Sequence, residues 1–155
     1  MRIGVLSSLS HYQLDDNSKQ EDDLEIVLEA MQRLNKRGLK GKCVWVFFTN
    51  ENARIKERIG DLAEVEFKNM TPIVDYPRSV ASADIHLCVA PLQDNDFNNS
   101  KSDIKVTECA ALGIPIVASR AYAYNATLQP NQLVDGGLVL GDRIEAIMGW
   151  SRDRF

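Results

Sequence analysis

The sequence predicts an α/β domain: a single Rossmann-like, doubly wound parallel sheet of about six strands with helices on both faces. Three observations carry that expectation. Short apolar runs alternate with segments of helical periodicity along nearly the whole chain, the pattern of parallel strands joined by crossover helices. Several of the runs are continuous and rich in β-branched or aromatic residues, as strands covered on both faces require. The two longest polar loops follow the first and fourth strands. In Rossmann order these strands flank the point where strand order reverses, and ligands bind there, outside the C-terminal strand ends.

The elements follow in order. Residues 2–7 form a buried strand, followed by a polar stretch from Ser8 to about Asn17. Ser18 and Glu21 have the spacing of a capping box. Leu24, Val27, Leu28, Met31 and Leu34 then place one apolar stripe on a helix that ends near Gly38. Cys43 to Phe48 reads as the second strand, with Trp45, Phe47 and Phe48 as core, and Ala53–Ile59 as the next helix. Val65–Phe67 is a short third strand; Asp75 caps a helix with Pro77 in its first turn. Ile85–Ala90 is the fourth strand, and the loop Gln93–Lys101 leads into a helix over Ser102–Leu112 closed by Gly113. Ile114–Ala118, with Pro115 at its start, is the fifth strand. Leu138–Leu140 is expected as a last short strand, with a final helix from Asp142.

Composition narrows the function classes. The chain has 155 residues, 45% of them apolar and 26% charged, which is ordinary for one soluble globular domain. A net charge of −4 argues against a nucleic-acid partner, which calls for a basic face, but not against a nucleotide. No apolar run reaches the roughly 18 residues of a membrane span, and the opening apolar stretch is too short for a leader. Cys43, Cys88 and Cys109 have neither metal spacing nor a disulfide framework, so buried reduced thiols in a cytoplasmic protein are expected.

The loop and helix after the fourth strand carry the most chemistry. A helix start offers unpaired amides and partial positive charge to an anion. Lys101 and Lys105 stand there, against the dipole preference. Either an anionic ligand relieves that conflict or the two are solvated surface lysines. Glu108 lies two turns beyond Lys101, roughly 10 Å along the axis. It is placed either to accept the hydroxyls of a ribose or to pair with Lys105.

The segment from Lys101 to Ser119, with Glu108, Gly113, Pro115 and the apolar strand Ile116–Ala118, resembles the signature of group 1 glycosyltransferases with the GT-B fold. Tyr76–Ile85, ending Ala83-Asp84-Ile85, resembles that family's preceding helix and strand start. The opening strand, Ser-Leu-Ser-His loop and acidic helix at Asp22-Asp23-Leu24 resemble one branch of it. The resemblance covers nearly the whole chain and is to the C-terminal, donor-binding domain. It implies that residues 1–155 are one nucleotide-sugar-binding domain, with the N-terminal acceptor-binding domain absent.

By the same resemblance Glu108 binds the donor ribose. Lys101, Ser102 and Asp103 match the turn that approaches the donor phosphates and sugar, with Lys105 supplying further charge. Met70 and Ile73 match the loop that brackets the nucleobase. Ser8 and His11 fall in the first-strand loop facing the pyrophosphate, although a histidine in such a loop is commonly just exposed. The implied donor substrate is a nucleotide-diphosphate sugar transferred to an acceptor hydroxyl, and no metal or other cofactor is implied.

One departure stands out. The family's first acidic residue falls at Ser100, which leaves Asp94 or Asp96 to substitute, or Asn98 and Asn99 to bond the sugar hydroxyls. A non-catalytic nucleotide-binding or scaffold domain on the same fold is therefore the alternative. Tyr122 and Tyr124 either line a sugar pocket or cap the sheet. A nicotinamide dehydrogenase would need a glycine-rich turn after the first strand and an acid ending the second; Ser7–Ser10 and Asn50 provide neither. A signalling receiver would need an acidic cluster at the first strand's end, and Asp15 and Asp16 lie too far into the loop.

Overall fold

The computed structural model describes residues 1–6 and 22–152. Among them six strands form one sheet: β1 (Arg2–Val5), β2 (Val44–Phe47), β3 (Glu64–Phe67), β4 (Leu87–Ala90), β5 (Ile116–Ser119) and β6 (Leu133–Val134). Their order is β3-β2-β1-β4-β5-β6, and every pairing is parallel, with Ile3 opposite Trp45 on one side and Leu87 on the other. The sheet is the expected Rossmann arrangement, with the reversal between β1 and β4.

Alternating side chains feed two cores. Ile3, Val5, Trp45, Phe47, Leu87 and Val89 pack under α1 (Asp23–Lys36), α2 (Ala53–Ile59) and α7 (Gly136–Arg152). Val46, Phe48, Cys88, Ala90, Ile116 and Ala118 pack under α3 (Tyr76–Ala81), α5 (Ile104–Ala111) and α6 (Tyr122–Asn125). The three cysteines are buried free thiols, and Trp45, Phe47 and Phe48 are core residues as expected. No described helix is long and apolar enough to cross a membrane.

Two expectations need correction, and a third falls outside the described residues. The first helix starts at Asp23, capped by Asp22, whose carboxylate accepts from the Leu24 amide at 2.8 Å; the Ser18–Glu21 box lies outside the described residues. Asp22 is buried and also pairs with Arg58 near the end of α2, so a tertiary partner favours this cap. Asp75 sits at the N-cap of α3 but its side chain makes no capping bond, while Pro77 occupies the first turn as expected.

The largest correction concerns the C-terminus. Leu138–Leu140 is not a strand but part of the first turns of α7, and the sixth strand is Leu133–Val134. Nor does the last helix begin at Asp142. That residue lies inside α7 and accepts from Arg33 of α1 at 2.6 Å. Glycine decides this: a Cβ on Gly137 would sit 2.3 Å from the Ile26 carbonyl oxygen, and one on Gly141 2.7 Å from Arg33 Cβ. Two glycines one turn apart let α7 lie directly on α1, and a helix here buries Leu140 and Ile144 together.

Candidate functional site

The C-terminal strand ends open into a cleft of about 250 Å³. Its apolar end is built by Leu6 and Phe48, which follow β1 and β2, and by Tyr76 of α3. Phe48 and Tyr76 meet edge to face, ring centres 6.1 Å apart, a preferred aromatic geometry. Burial pushes the Tyr76 hydroxyl above its ordinary range, and the nearby Glu108 charge adds to this. The loop after β3 forms the rim with Asn69, Met70 and Thr71. The Met70 amide donates to Asn50 Oδ1 at 2.9 Å, which ties that loop to the end of β2; its side chain is 62% exposed. Ile73, 83% exposed, does not line this cleft. Of the two residues expected at the base, only Met70 is on the wall.

The polar end belongs to α5. Ile104, Lys105 and Glu108 line the cleft together, because positions one turn apart share a helix face. The Lys105 ammonium is buried and has no hydrogen-bond partner among the described residues. Burial lowers it to about 8; the Asp23 charge pulls the other way and Lys101 adds to the lowering. Glu108 is half-buried, and burial raises its carboxyl while the Lys105 charge opposes this. Of the two roles left open for Glu108, the bonded pair with Lys105 is not made, and both groups face the cleft.

The preceding turn is organised differently. The loop expected over Gln93–Lys101 contains one helical turn, α4 (Asp96–Asn99), capped by Asn95 through the Asn98 amide at 2.8 Å. Asn98 is buried, and its side-chain amide donates to Asp23 Oδ1 at 3.0 Å and to the Gln93 carbonyl at 2.9 Å. Its donors hold the loop and are not offered to a ligand. The Asn99 amide donates to Asp94 Oδ1 at 2.8 Å, and the Ser100 hydroxyl donates to the Phe97 carbonyl at 2.8 Å. Asp96 sits in the first turn of α4.

Lys101 Nζ lies 4.3 Å from the Phe97 ring centre, a cation–π contact, and burial lowers its ammonium. Asp103 stands at the N-cap of α5 without capping it; instead Asp103 Oδ2 accepts from the Thr127 hydroxyl at 2.6 Å. Beyond it a second, open cleft of about 530 Å³ runs between the turn Lys101–Asp103 and the α6 segment. Tyr122 lines that cleft and is 78% exposed, whereas Tyr124 is buried in the core. Tyr124 therefore takes the packing role against the sheet, and Tyr122 stands on the wall of an open cleft. Ser8 and His11 lie outside the described residues.

Sequence reasoning missed Asp23. This buried carboxylate at the start of α1 accepts from the Gln93 amide at 2.6 Å and from Asn98, so it joins the first and fourth crossovers beneath the site. Its only sequence signal was an acid in the first turn of a helix, which looks the same at any solvated helix start.

No protein-family model and no curated protein matches the chain. Solved structures do share its architecture. A glycosyltransferase from Rickettsia africae matches with a TM-score of 0.64 at 14% identity, over 96% of this chain and 37% of that one. The C-terminal domain of a group 1 family glycosyl transferase from Francisella tularensis matches at 0.66 and 13%, over 97% and 76%. A UDP-forming α,α-trehalose-phosphate synthase from Burkholderia xenovorans matches at 0.55 and 13%, over 95% and 36%. At such identities the likeness is one of fold, and the chain spans little over a third of the first and third of these proteins.

Proposed function

We propose that this chain is the donor-binding half of a glycosyltransferase, holding a nucleotide-diphosphate sugar in the cleft between α3 and α5. The reading rests most on Lys105. Its buried ammonium lacks any hydrogen-bond partner among the described residues and faces the same cleft as Glu108. Leaving a buried charge unpaired is costly, and an anionic ligand removes that cost. In this reading the base lies at the apolar end over Phe48, beside the Met70 rim. Glu108 accepts the ribose hydroxyls, and the diphosphate meets Lys105, Lys101 and the first amides of α5. The fold likeness to glycosyltransferases supports the same reading.

The chemistry that follows is transfer of the sugar to an acceptor hydroxyl. Lysines and helix amides would stabilise the departing diphosphate by charge and positioning. An N-terminal acceptor-binding domain in the full-length protein would supply the acceptor and the general base. Ser100, folded back on the Phe97 carbonyl, offers no carboxylate to the sugar, and this favours the non-catalytic nucleotide-binding domain as the second reading.

Calorimetric titration with UDP, GDP and ADP tests the proposal. One of them should bind saturably, and Glu108→Ala should weaken it about tenfold or more, the scale of lost hydrogen bonds to a charged group. Absence of binding to all three would leave a scaffold that keeps the fold alone. Binding with activity lacking in the full-length protein would select the non-catalytic reading.

A further inference from the structure

We propose that Asp23, the buried carboxylate at the start of α1, is a positioning residue for the anion site: its charge is the counter-charge of the Lys105 ammonium, and its Oδ1 fastens the loop after β4 to α1. The part it plays in ligand binding rests on the donor-binding reading above; the coupling of the two buried charges does not.

Asp22 and Asp23 are adjacent and both buried, yet they serve different parts of the fold. Asp22 caps α1 and pairs with Arg58 of α2. Asp23 reaches the fourth crossover, where Oδ1 accepts from the Gln93 amide at 2.6 Å and from the Asn98 side chain at 3.0 Å. Those two bonds do not require a charge. Both end on one oxygen, and the carbonyl of an asparagine would accept them without the cost of burying a carboxylate. What a carboxylate adds is attraction for cations, strong where water is excluded. The Asp23 charge acts on Lys105 of α5, on Lys101 in the turn before α5 and on the buried Tyr124 of α6. It therefore lies among these elements and not at a solvated helix end.

Lys105 is the group that depends on it most. Burial lowers the ammonium to about 8, and the strongest attraction opposing this comes from Asp23, ahead of Glu108 on the same helix as Lys105; Lys101 adds to the lowering. Cys109 of α5 is the remaining charged influence, and Tyr76 of α3 lines the same cleft. Asp23 acts through space, since the ammonium has no hydrogen-bond partner among the described residues. The donors of Lys105 thus stay available to an anion, while a carboxylate on another crossover supports its charge. Without Asp23 the amine would lose its proton closer to neutrality. A neutral amine offers a diphosphate far less than an ammonium does.

The experiment compares the parent chain with Asp23→Asn, which keeps an acceptor oxygen and removes the charge, and with Asn98→Ala, which removes a bond and keeps the charge. Circular dichroism checks the fold, and Asp23→Ser replaces Asp23→Asn if that variant does not fold. Isotope-edited lysine NMR follows Lys105 in the ligand-free chain, its resonance identified by its loss in Lys105→Met. The Lys105 midpoint should fall by roughly one pH unit in Asp23→Asn, the scale of one nearby opposite charge, and stay near the parent value in Asn98→Ala. Calorimetry with UDP, GDP and ADP then runs from about pH 6 to about 9.5. Near the acid end Asp23→Asn should bind no more weakly than the parent, because a neighbouring negative charge is gone. By about pH 8.5 it should be about fivefold weaker, since less of its Lys105 is charged. Structural damage would instead weaken binding at every pH. An unmoved Lys105 midpoint in Asp23→Asn, or an equal fall in Asn98→Ala, overturns the proposal; so does loss of the fold in both Asp23 variants, which would make Asp23 a structural residue. A moved midpoint with an unmoved binding profile overturns the positioning role. If the midpoint moves and no diphosphate binds at any pH, the donor reading is wrong and the charge coupling stands.

Discussion

The two faces of the sheet treat charge in opposite ways. Over β1 and β2, the contacts of α1 with α2 and α7 pair their ions. Arg33 bonds Asp142 through both carboxylate oxygens, Arg37 reaches Glu145 at 3.5 Å, and Arg58 pairs with Asp22 and Glu25. Glycines there bring two helices into backbone contact. On the other face, α5 lines a cleft with a buried ammonium that lacks a hydrogen-bond partner among the described residues and with a half-buried, desolvated carboxylate. Folding alone accounts for the first face. The second holds an arrangement that costs stability, and such costs persist where a ligand offsets them.

The sharpest way to break the comparison is Gly137→Ala. Alanine favours a helix by about 1 kcal/mol over glycine, but its Cβ would meet the Ile26 carbonyl oxygen at 2.3 Å. We expect a net loss of about 3 kcal/mol in urea unfolding; a gain would mean that the α1–α7 contact is not tight.

On the opposite face the sign should reverse. Lys105→Met replaces a buried charge that has no hydrogen-bond partner among the described residues by an apolar side chain of similar length and should raise stability by about 1–3 kcal/mol. The same variant should weaken any bound diphosphate about tenfold. A variant that lost both stability and binding would show Lys105 to be a structural residue.

Acidity sharpens the same point. Lys105 is lowered to about 8 from the ordinary 10.5, so the folded state holds this proton less tightly than the unfolded chain. Its destabilisation is complete below about pH 8 and fades as the pH rises toward 10.5. A diphosphate beside the ammonium would raise its proton affinity. Diphosphate binding should therefore hold steady below about pH 8 and fall above it, and Lys105→Met should flatten that profile. Calorimetry across pH 6.5 to about 9.5 spans this titration.

The smallest effect belongs to a partly buried pair near the surface. Arg2 holds Glu66 in a two-point bond, at 2.8 and 2.9 Å, and lowers its carboxyl to about 2. That contribution is present above the ordinary carboxylate value and disappears as pH falls through about 2. Solvent screening limits it, so Glu66→Gln should cost less than about 1 kcal/mol in the same unfolding assay.

Much of this molecule was legible in the chain. Period and composition located β1 to β5, and the polar loops after β1 and β4 marked the reversal point beside which the cleft lined by Leu6, Lys105 and Glu108 opens. Glu108 and Lys105 were legible because helical spacing alone puts them on one face. Asn98, Ile73 and Tyr124 were less so. Each has the right residue type in the right loop, and only packing shows that the first is bonded inside the fold, the second stands off the cleft wall and the third is core.

The sequence by itself determined the class of fold and the element that carries the charges, since both follow from local repeats that water reads one segment at a time. Tertiary structure alone decided that Leu138–Leu140 is helical, that Asp22 caps α1, and that Asp103 turns from its own helix to Thr127. In each case several local conformations lie within about 1 kcal/mol of one another. A contact from a distant part of the chain, the Ile26 carbonyl, Arg58 or Thr127, is large enough to choose among them.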